Sequence, residues 1–136
     1  MSETRSVIDR HIDAFNTRAP DLEPWSSNAE LVSPGATFTG RAAVLGFLAG
    51  FQDAFSSGRL RVESAVIEAD AASVEGMFTG VHDGILRTPS GPVEATGASI
   101  SFRWSATYLV SGNELLSEHL YFDQLDFLGQ LGLLPT

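Results

Sequence analysis

Helical periodicity in the first half of the chain and strand-like alternation in the second predict a segregated α+β domain, with helices first and an antiparallel meander after them. Two observations carry the helices. Ile8, His11, Ile12 and Phe15 fall at i, i+3, i+4 and i+7, and Val44, Phe47, Leu48, Phe51 and Phe55 hold one face through three turns. The third observation is the change of pattern after Arg59, where apolar residues recur at short strand-like intervals.

In chain order, the first helix spans 6–18 and stops at Ala19-Pro20, because the residue before proline is driven out of helical geometry. A short helical turn over 21–25 and a strand over 29–33 follow, closed by Pro34-Gly35. The second helix is expected from Gly40 to Phe55, with Thr39 as its cap and Ser56-Ser57-Gly58 as its stop. Strands are then expected over 60–68, 72–83 and 93–110, the last bent at Gly97 as a bulge. A final strand over 114–122 leads into a short helix over 124–131 that Gly132 closes. Gly76, Gly80 and Gly84 read as bends, since no helix follows to make a phosphate loop. No repeat or linker divides the chain, so residues 1–136 read as one domain.

Gly112-Asn113 suits a two-residue hairpin loop with glycine first, which pairs Ser111 with Glu114. Carried on without interruption, that register sets Tyr108 opposite Ser117, Ala106 opposite His119, Trp104 opposite Tyr121 and Phe102 opposite Asp123. His119, Tyr121 and Asp123 would then share the aromatic inner face. A three-residue loop would instead place Asp123 beside Arg103. An acid walled by aromatic rings has a destabilised charged form, so its pKa should rise and suit it to proton transfer.

Composition removes several function classes. The 136 residues are 43% hydrophobic and 18% charged, the balance of a folded protein. Eight Lys+Arg against 17 Asp+Glu give a formal charge of −9, which repels nucleic acid and anionic lipid. There is no cysteine, hence no disulfide, thiolate site or thiol nucleophile. Neither an i, i+4 histidine pair nor HExxH spacing occurs, so no metal site is expected. Met1-Ser2-Glu3-Thr4-Arg5 does not resemble a leader, and no apolar run reaches the roughly 20 residues of a membrane span. A cytoplasmic protein with no membrane partner is expected.

Glu118-His119-Leu120-Tyr121-Phe122-Asp123, with Gln130-Leu131-Gly132 starting seven positions after the aspartate, resembles the C-terminal signature of SnoaL-like polyketide cyclases. Phe78-Thr79-Gly80-Val81-His82 with Gly84 is similar to that family's central strand, and Pro34-Gly35 with Gly40-Arg41 to its turn before the long helix. The likeness spans nearly the whole chain. It implies the NTF2-like cone, a curved sheet closed by helices around a central pocket. It also implies ring closure of a small apolar or polyketide-like substrate without metal or cofactor, and a homo-oligomer, dimer or tetramer, joined through the outer sheet face. By this resemblance Asp123 matches the general acid/base and His82 a pocket histidine. His119 stands where many members carry tryptophan, which adds a second candidate proton carrier.

The catalytic candidates are thus Asp123 and His119, and the substrate-binding candidates His82, Tyr121, Trp104, Phe102, Phe78 and Phe15. Each also has a structural reading. Asp123 is placed to cap the last helix, His119 and His82 to be bonded strand residues, His11 to be a satisfied core histidine, and the aromatics to be core. Two other classes stay open. One is another enzyme on the same cone, an isomerase or epoxide hydrolase, although the Arg-x-Asp pair and the helix-1 tyrosine of those enzymes are missing. The other is a non-catalytic binder of small ligands.

Overall fold

Strict alternation along one long strand organises the architecture. In a computed structural model, which describes residues 3–134, Ile100, Phe102, Trp104, Ala106, Tyr108 and Val110 all point inward from β7 (Ser99–Ser111). Met1 and Ser2, where the leader reading began, lie outside the described residues. The chain runs α1 (Glu3–Asn16), a 3₁₀ turn (Pro20–Leu22), β1 (Trp25–Ser33), β2 (Ala36–Thr39), α2 (Arg41–Ala54), β3 (Arg59–Glu68) and β4 (Ala71–Val81). It continues through β5 (Leu86–Thr88), β6 (Gly91–Val93), β7, β8 (Glu114–Phe122) and α3 (Gln124–Gln130).

Six strands form one curved sheet in the order β2-β1-β8-β7-β4-β3, antiparallel throughout except where β1 runs parallel to β8. β5 and β6 make a separate hairpin. The expected α+β class and NTF2-like cone hold. α1 lays Val7, Ile8, His11, Ile12 and Phe15 on the concave face, and α2 closes it with Val44 and Leu48. Burying each such aliphatic or aromatic side chain contributes about 1.5–3 kcal/mol.

Several local expectations are corrected. β1 starts at Trp25, four residues early, because it is held by its parallel neighbour β8 rather than by its own propensity. The segment expected as one strand from Val93 breaks in two, and Gly97 (φ +76°) lies in the connecting loop rather than in a bulge. Gly40, not Thr39, occupies the cap of α2, without a side-chain cap hydrogen bond.

The correction with the widest effect concerns the β7–β8 hairpin. Gly112 adopts φ +60° and Ser111 does pair with Glu114. Two pairs later the register slips: Val110 faces Leu115 while Leu109 faces Ser117, leaving Leu116 as an extra residue. A bulge of one residue turns every subsequent side chain to the opposite face. The pairs become Tyr108 with Glu118, Ala106 with Leu120 and Trp104 with Phe122. Glu118, Leu120 and Phe122 therefore face the concave side, and His119, Tyr121 and Asp123 face away.

Candidate functional site

Between α1, α2 and the sheet lies a cavity of ≈40 Å³, room for a few water-sized molecules at about 10–15 Å³ each. Its walls are aromatic and aliphatic: Phe15 from α1, Phe47 and Phe51 from α2, Phe78 from β4, Phe102 and Trp104 from β7, Phe122 from β8. Phe47, Phe51 and Phe122 are only half-buried, so this side of the wall borders solvent. Phe51 stands at the hub, with ring contacts to Phe47, Phe78, Phe122 and Phe127 at 5.4–6.3 Å.

Three polar side chains interrupt the apolar lining at one end: His11, Tyr108 and Glu118. Glu118 is only 4% exposed and His11 only 1%. Behind them stands Glu23, also buried, just after the 3₁₀ turn. The Glu23 Oε1 atom accepts from the Trp25 indole N–H at 2.9 Å and lies 2.6 Å from His11 Nδ1. A carboxylate oxygen can only accept, so the His11 proton sits on Nδ1, between the two groups. His11 Nε2 then faces Glu118 Oε1 at 3.5 Å. The ring is further held edge-on against Trp25 and Tyr108, with centroids 5.2 and 6.1 Å away.

Arg41, at the start of α2, fixes the segment that carries Glu23. Its Nη1 donates to the backbone carbonyls of Glu23 (2.7 Å) and Trp25 (3.0 Å), and its Nη2 to that of Pro20 (3.1 Å). The arginine thereby locks the approach to β1 without using the Glu23 side chain.

Burial sets the ionisation of this cluster. It is the largest influence on Glu118, whose pKa rises from 4.5 to about 7; the positive His11 opposes the rise, Glu23 adds to it and the Tyr108 hydrogen bond opposes it. Glu118 therefore changes charge near neutrality. For His11, burial favours the neutral ring, but the charge and hydrogen bond of Glu23, with Glu118 beyond, outweigh it and raise the pKa. Burial, then Glu118 and Glu23, hold the Tyr108 phenol well above its ordinary value, so it remains a neutral donor to Glu118.

Nearly all buried side-chain polar atoms among the described residues are paired, and three are not: Glu118 Oε1, Trp104 Nε1 and His82 Nε2. Each such atom costs about 1–3 kcal/mol when left without a partner. Two of the three belong to residues that line the cavity. Trp104 is seated by Gly76, its partner on β4: a methyl group there would stand 2.6 Å from the indole Cζ2 and 2.3 Å from the Arg61 carbonyl.

The candidates from sequence separate into three groups. Trp104, Phe102, Phe78 and Phe15 line the cavity. His82 is fully buried but outside the cavity lining; its Nδ1 accepts from the Thr96 backbone N–H at 3.1 Å and meets the Thr96 hydroxyl at 2.9 Å, and its ring packs on Phe55. Asp123, His119 and Tyr121 are exposed on the outer side, which corrects their expected place among the aromatics. Asp123 caps α3, its Oδ1 accepting from the Asp126 N–H at 3.1 Å. The bulge at Leu116 is the reason, since only an uninterrupted pairing turns these residues inward.

Glu118 and Glu23 did not emerge from the sequence reading, and His11 emerged only as a core residue. One signal was available. Glu118-x-Leu120-x-Phe122 is the more apolar alternate set, and His119-x-Tyr121-x-Asp123 the more polar, so hydrophobic pattern alone favours the observed face. Nothing comparable marks Glu23, whose partner His11 lies 12 residues away across a turn. Among the described residues no group of three or more His, Asp or Glu side chains is arranged to hold a metal ion.

A curved sheet closed by helices over an apolar pocket, with His11, Tyr108 and Glu118 at one end of it, defines the class: the NTF2-like, ketosteroid isomerase-like fold. The chain belongs to the SnoaL-like domain family, whose sequence model matches residues 8–119. A proposed SnoaL-like polyketide cyclase from Jannaschia sp. CCS1 superposes with a TM-score of 0.84 at 16% identity, covering 98% of this chain and 94% of that one. IdmH, a proposed polyketide cyclase from Streptomyces antibioticus, gives 0.80 at 19% identity over 96% and 99%. TerC co-crystallised with polyporic acid gives 0.77 at 18% over 96% and 99%. At these identities the likeness speaks for the fold. No curated protein matches the sequence. None of the described helices is long and apolar enough to cross a membrane.

Proposed function

We propose that the chain is a cofactor-independent cyclase for a small polyketide-like molecule, with Glu118, rather than Asp123, as the group that transfers protons. The observation that carries this reading is a buried carboxyl on the wall of an apolar cavity, one oxygen of which has no hydrogen-bond partner and faces His11 Nε2 at 3.5 Å. As a carboxylate, Glu118 takes a proton from carbon next to a carbonyl. The C–H electron pair becomes the enolate double bond, and the carbonyl π pair moves to oxygen. The enolate carbon then bonds to a second carbonyl of the same molecule, whose oxygen receives the proton back from Glu118. A carboxyl that ionises near pH 7 is suited to both halves of this exchange. Aromatic walls hold the folded chain so that its reacting carbons meet. His11, held by Glu23, supplies positive charge beside Glu118 when the latter is ionised.

The cavity of ≈40 Å³ is smaller than a polyketide intermediate, so the half-buried Phe47, Phe51 and Phe122 must part to admit one. The SnoaL-like relatives described as proposed polyketide cyclases, and TerC co-crystallised with polyporic acid, support a ligand of this class. The test is conversion of linear poly-β-keto aromatic precursors. Glu118→Gln is expected to lower turnover by about 10²–10⁴-fold, while Asp123→Asn leaves it unchanged. Unaltered turnover in Glu118→Gln would remove Glu118 from the chemistry, and loss in Asp123→Asn would return the role to the capping aspartate.

The same reading extends to assembly as a homo-oligomer through the outer sheet face. Val66, Leu109 and Tyr121 are exposed there at 69%, 47% and 58%, and would supply apolar side chains to such an interface.

A further inference from the structure

Two buried polar atoms without a hydrogen-bond partner, Glu118 Oε1 (3.5 Å from His11 Nε2) and Trp104 Nε1, sit on residues of one cavity, but not at the same place in it. Glu118 pairs with Tyr108, whereas Trp104 pairs with Phe122 on β8 and with Gly76 on β4. Along the strands these positions are four residues apart, about 13 Å at the backbone. The Trp104 indole leans over Gly76 on β4, away from β8 and hence from the strand that carries Glu118. Between their rows lie Val74, Ala106 and Leu120, which offer no polar side chain. One atom is a donor, an indole N–H; the other is a carboxyl oxygen that changes charge with its proton.

We infer that the cavity is a two-ended site for a flat conjugated molecule, whose acidic hydroxyl or C–H meets Glu118 Oε1 and whose carbonyl oxygen, at the far end, accepts from Trp104 Nε1–H. This rests on the reading of Glu118 as the acid/base. The two ends act together through conjugation. When the Glu118 carboxylate takes the proton, the released electron pair delocalises along the ring system and the carbonyl π pair shifts onto the distal oxygen. Trp104 then donates to an oxygen carrying negative charge, a hydrogen bond stronger than the one it makes to the neutral carbonyl. Trp104 thus favours the ionised ligand, and Gly76 matters because only a glycine lets the indole lie where it does. The substrate class is a fused aromatic or quinone-like ring system oxygenated at opposite ends, rather than one with all its oxygens on one edge.

The probe is 6-acetyl-2-naphthol, which carries its hydroxyl and carbonyl at opposite ends of two fused rings and changes absorption when it ionises. Comparators are 2-acetylnaphthalene, lacking the hydroxyl, and 2-naphthol, lacking the carbonyl. The chain has only two tryptophans, and Trp25 Nε1–H is already bonded to Glu23, so it serves as the internal reference. In ¹H–¹⁵N spectra of the wild-type protein, the Trp104 indole proton is expected to move downfield with 6-acetyl-2-naphthol and 2-acetylnaphthalene but not with 2-naphthol. Trp104→Phe is expected to weaken the acetylnaphthol by about tenfold and 2-naphthol by less than about twofold. The bound naphthol should ionise in wild type and not in Glu118→Gln.

An unmoved Trp104 resonance on binding overturns the inference, even if ionisation still depends on Glu118; the acid/base reading would survive that result. Conversely, a Trp104 shift without Glu118-dependent ionisation sinks the acid/base reading and the coupling of the two ends. Failure of all three compounds to bind at their solubility limits overturns the substrate class. The spectra of the wild-type protein decide the matter even where Trp104→Phe does not fold.

Discussion

The two faces of β8 carry the same kinds of residue into opposite environments. Glu118 and His119 are neighbours in sequence, both capable of moving protons near neutrality in the right surroundings. One is sealed between Tyr108 and His11 at the edge of an apolar cavity, and the other stands in water beside Thr107 and Val32. Likewise Phe122 packs on Phe51, Phe102 and Phe127, while Asp123, one residue on, merely ends the strand and starts a helix. Chemical potential as a proton carrier is therefore set by burial and partners, and residue type supplies only the raw material.

The sharpest way to break this contrast is to exchange the acids. Glu118→Gln should reduce turnover by the factor given above and Asp123→Asn should not, as steady-state kinetics with one substrate would reveal. Next in size is the group behind the pocket. Glu23→Ala leaves the buried His11 and the Trp25 N–H without their shared acceptor, and about 3–5 kcal/mol of stability should be lost in urea denaturation. A loss under about 1 kcal/mol would mean that water replaces the carboxylate freely.

The pH dependence of stability comes third. Glu118 ionises near 7 when folded, against 4.5 as its reference, so between these values the folded state holds the extra proton. Stability falls as pH rises through that window and levels off above it, by an amount on the order of 3 kcal/mol. His11, raised above its 6.5 reference, acts with the same sign: its contribution is complete below the unfolded value and lost as pH passes the folded one. Stability curves of wild type and Glu118→Gln should therefore converge or cross with pH between pH 4.5 and 7. Parallel curves would show that Glu118 titrates alike in both states.

Smaller effects belong to the outer face. Asp123→Ala should cost about 0.5–2 kcal/mol through the lost cap. His119→Ala is expected to stay within about 0.5 kcal/mol. If the outer face joins two copies, Tyr121→Glu should halve the mass seen by light scattering; a monomeric wild-type protein would remove that interface.

Much of this architecture was legible from periodicity. α1 and α2 follow from Ile8, Ile12, Phe15, Val44, Leu48 and Phe51, because an apolar stripe at 3.6-residue spacing has few other uses. The burial of Phe15, Phe78, Phe102 and Trp104 was legible too, since they sit on faces that must be buried, but not that a cavity lies between them. What escaped was non-local or irregular. β2, β5 and β6 are too short to carry a pattern of their own. Glu23 gains its meaning from His11 and Trp25, and only the fold brings these together. The side to which β8 turns its acid was hidden behind one unpaired leucine, since hairpin chemistry fixes the first pair and not the fifth.

That leucine has a consequence for anyone who would re-engineer or diversify this scaffold. Excising position 116 would keep the turn and the interior in one frame, since Val110 with Leu115 and Leu109 with Ser117 then follow without a spare residue. Retaining it but seating it opposite Leu109 would instead evert the strand, pushing an imidazole and a phenol into the hollow while stranding two greasy side chains outdoors. A slip of a single position thus has the reach of half a dozen simultaneous substitutions.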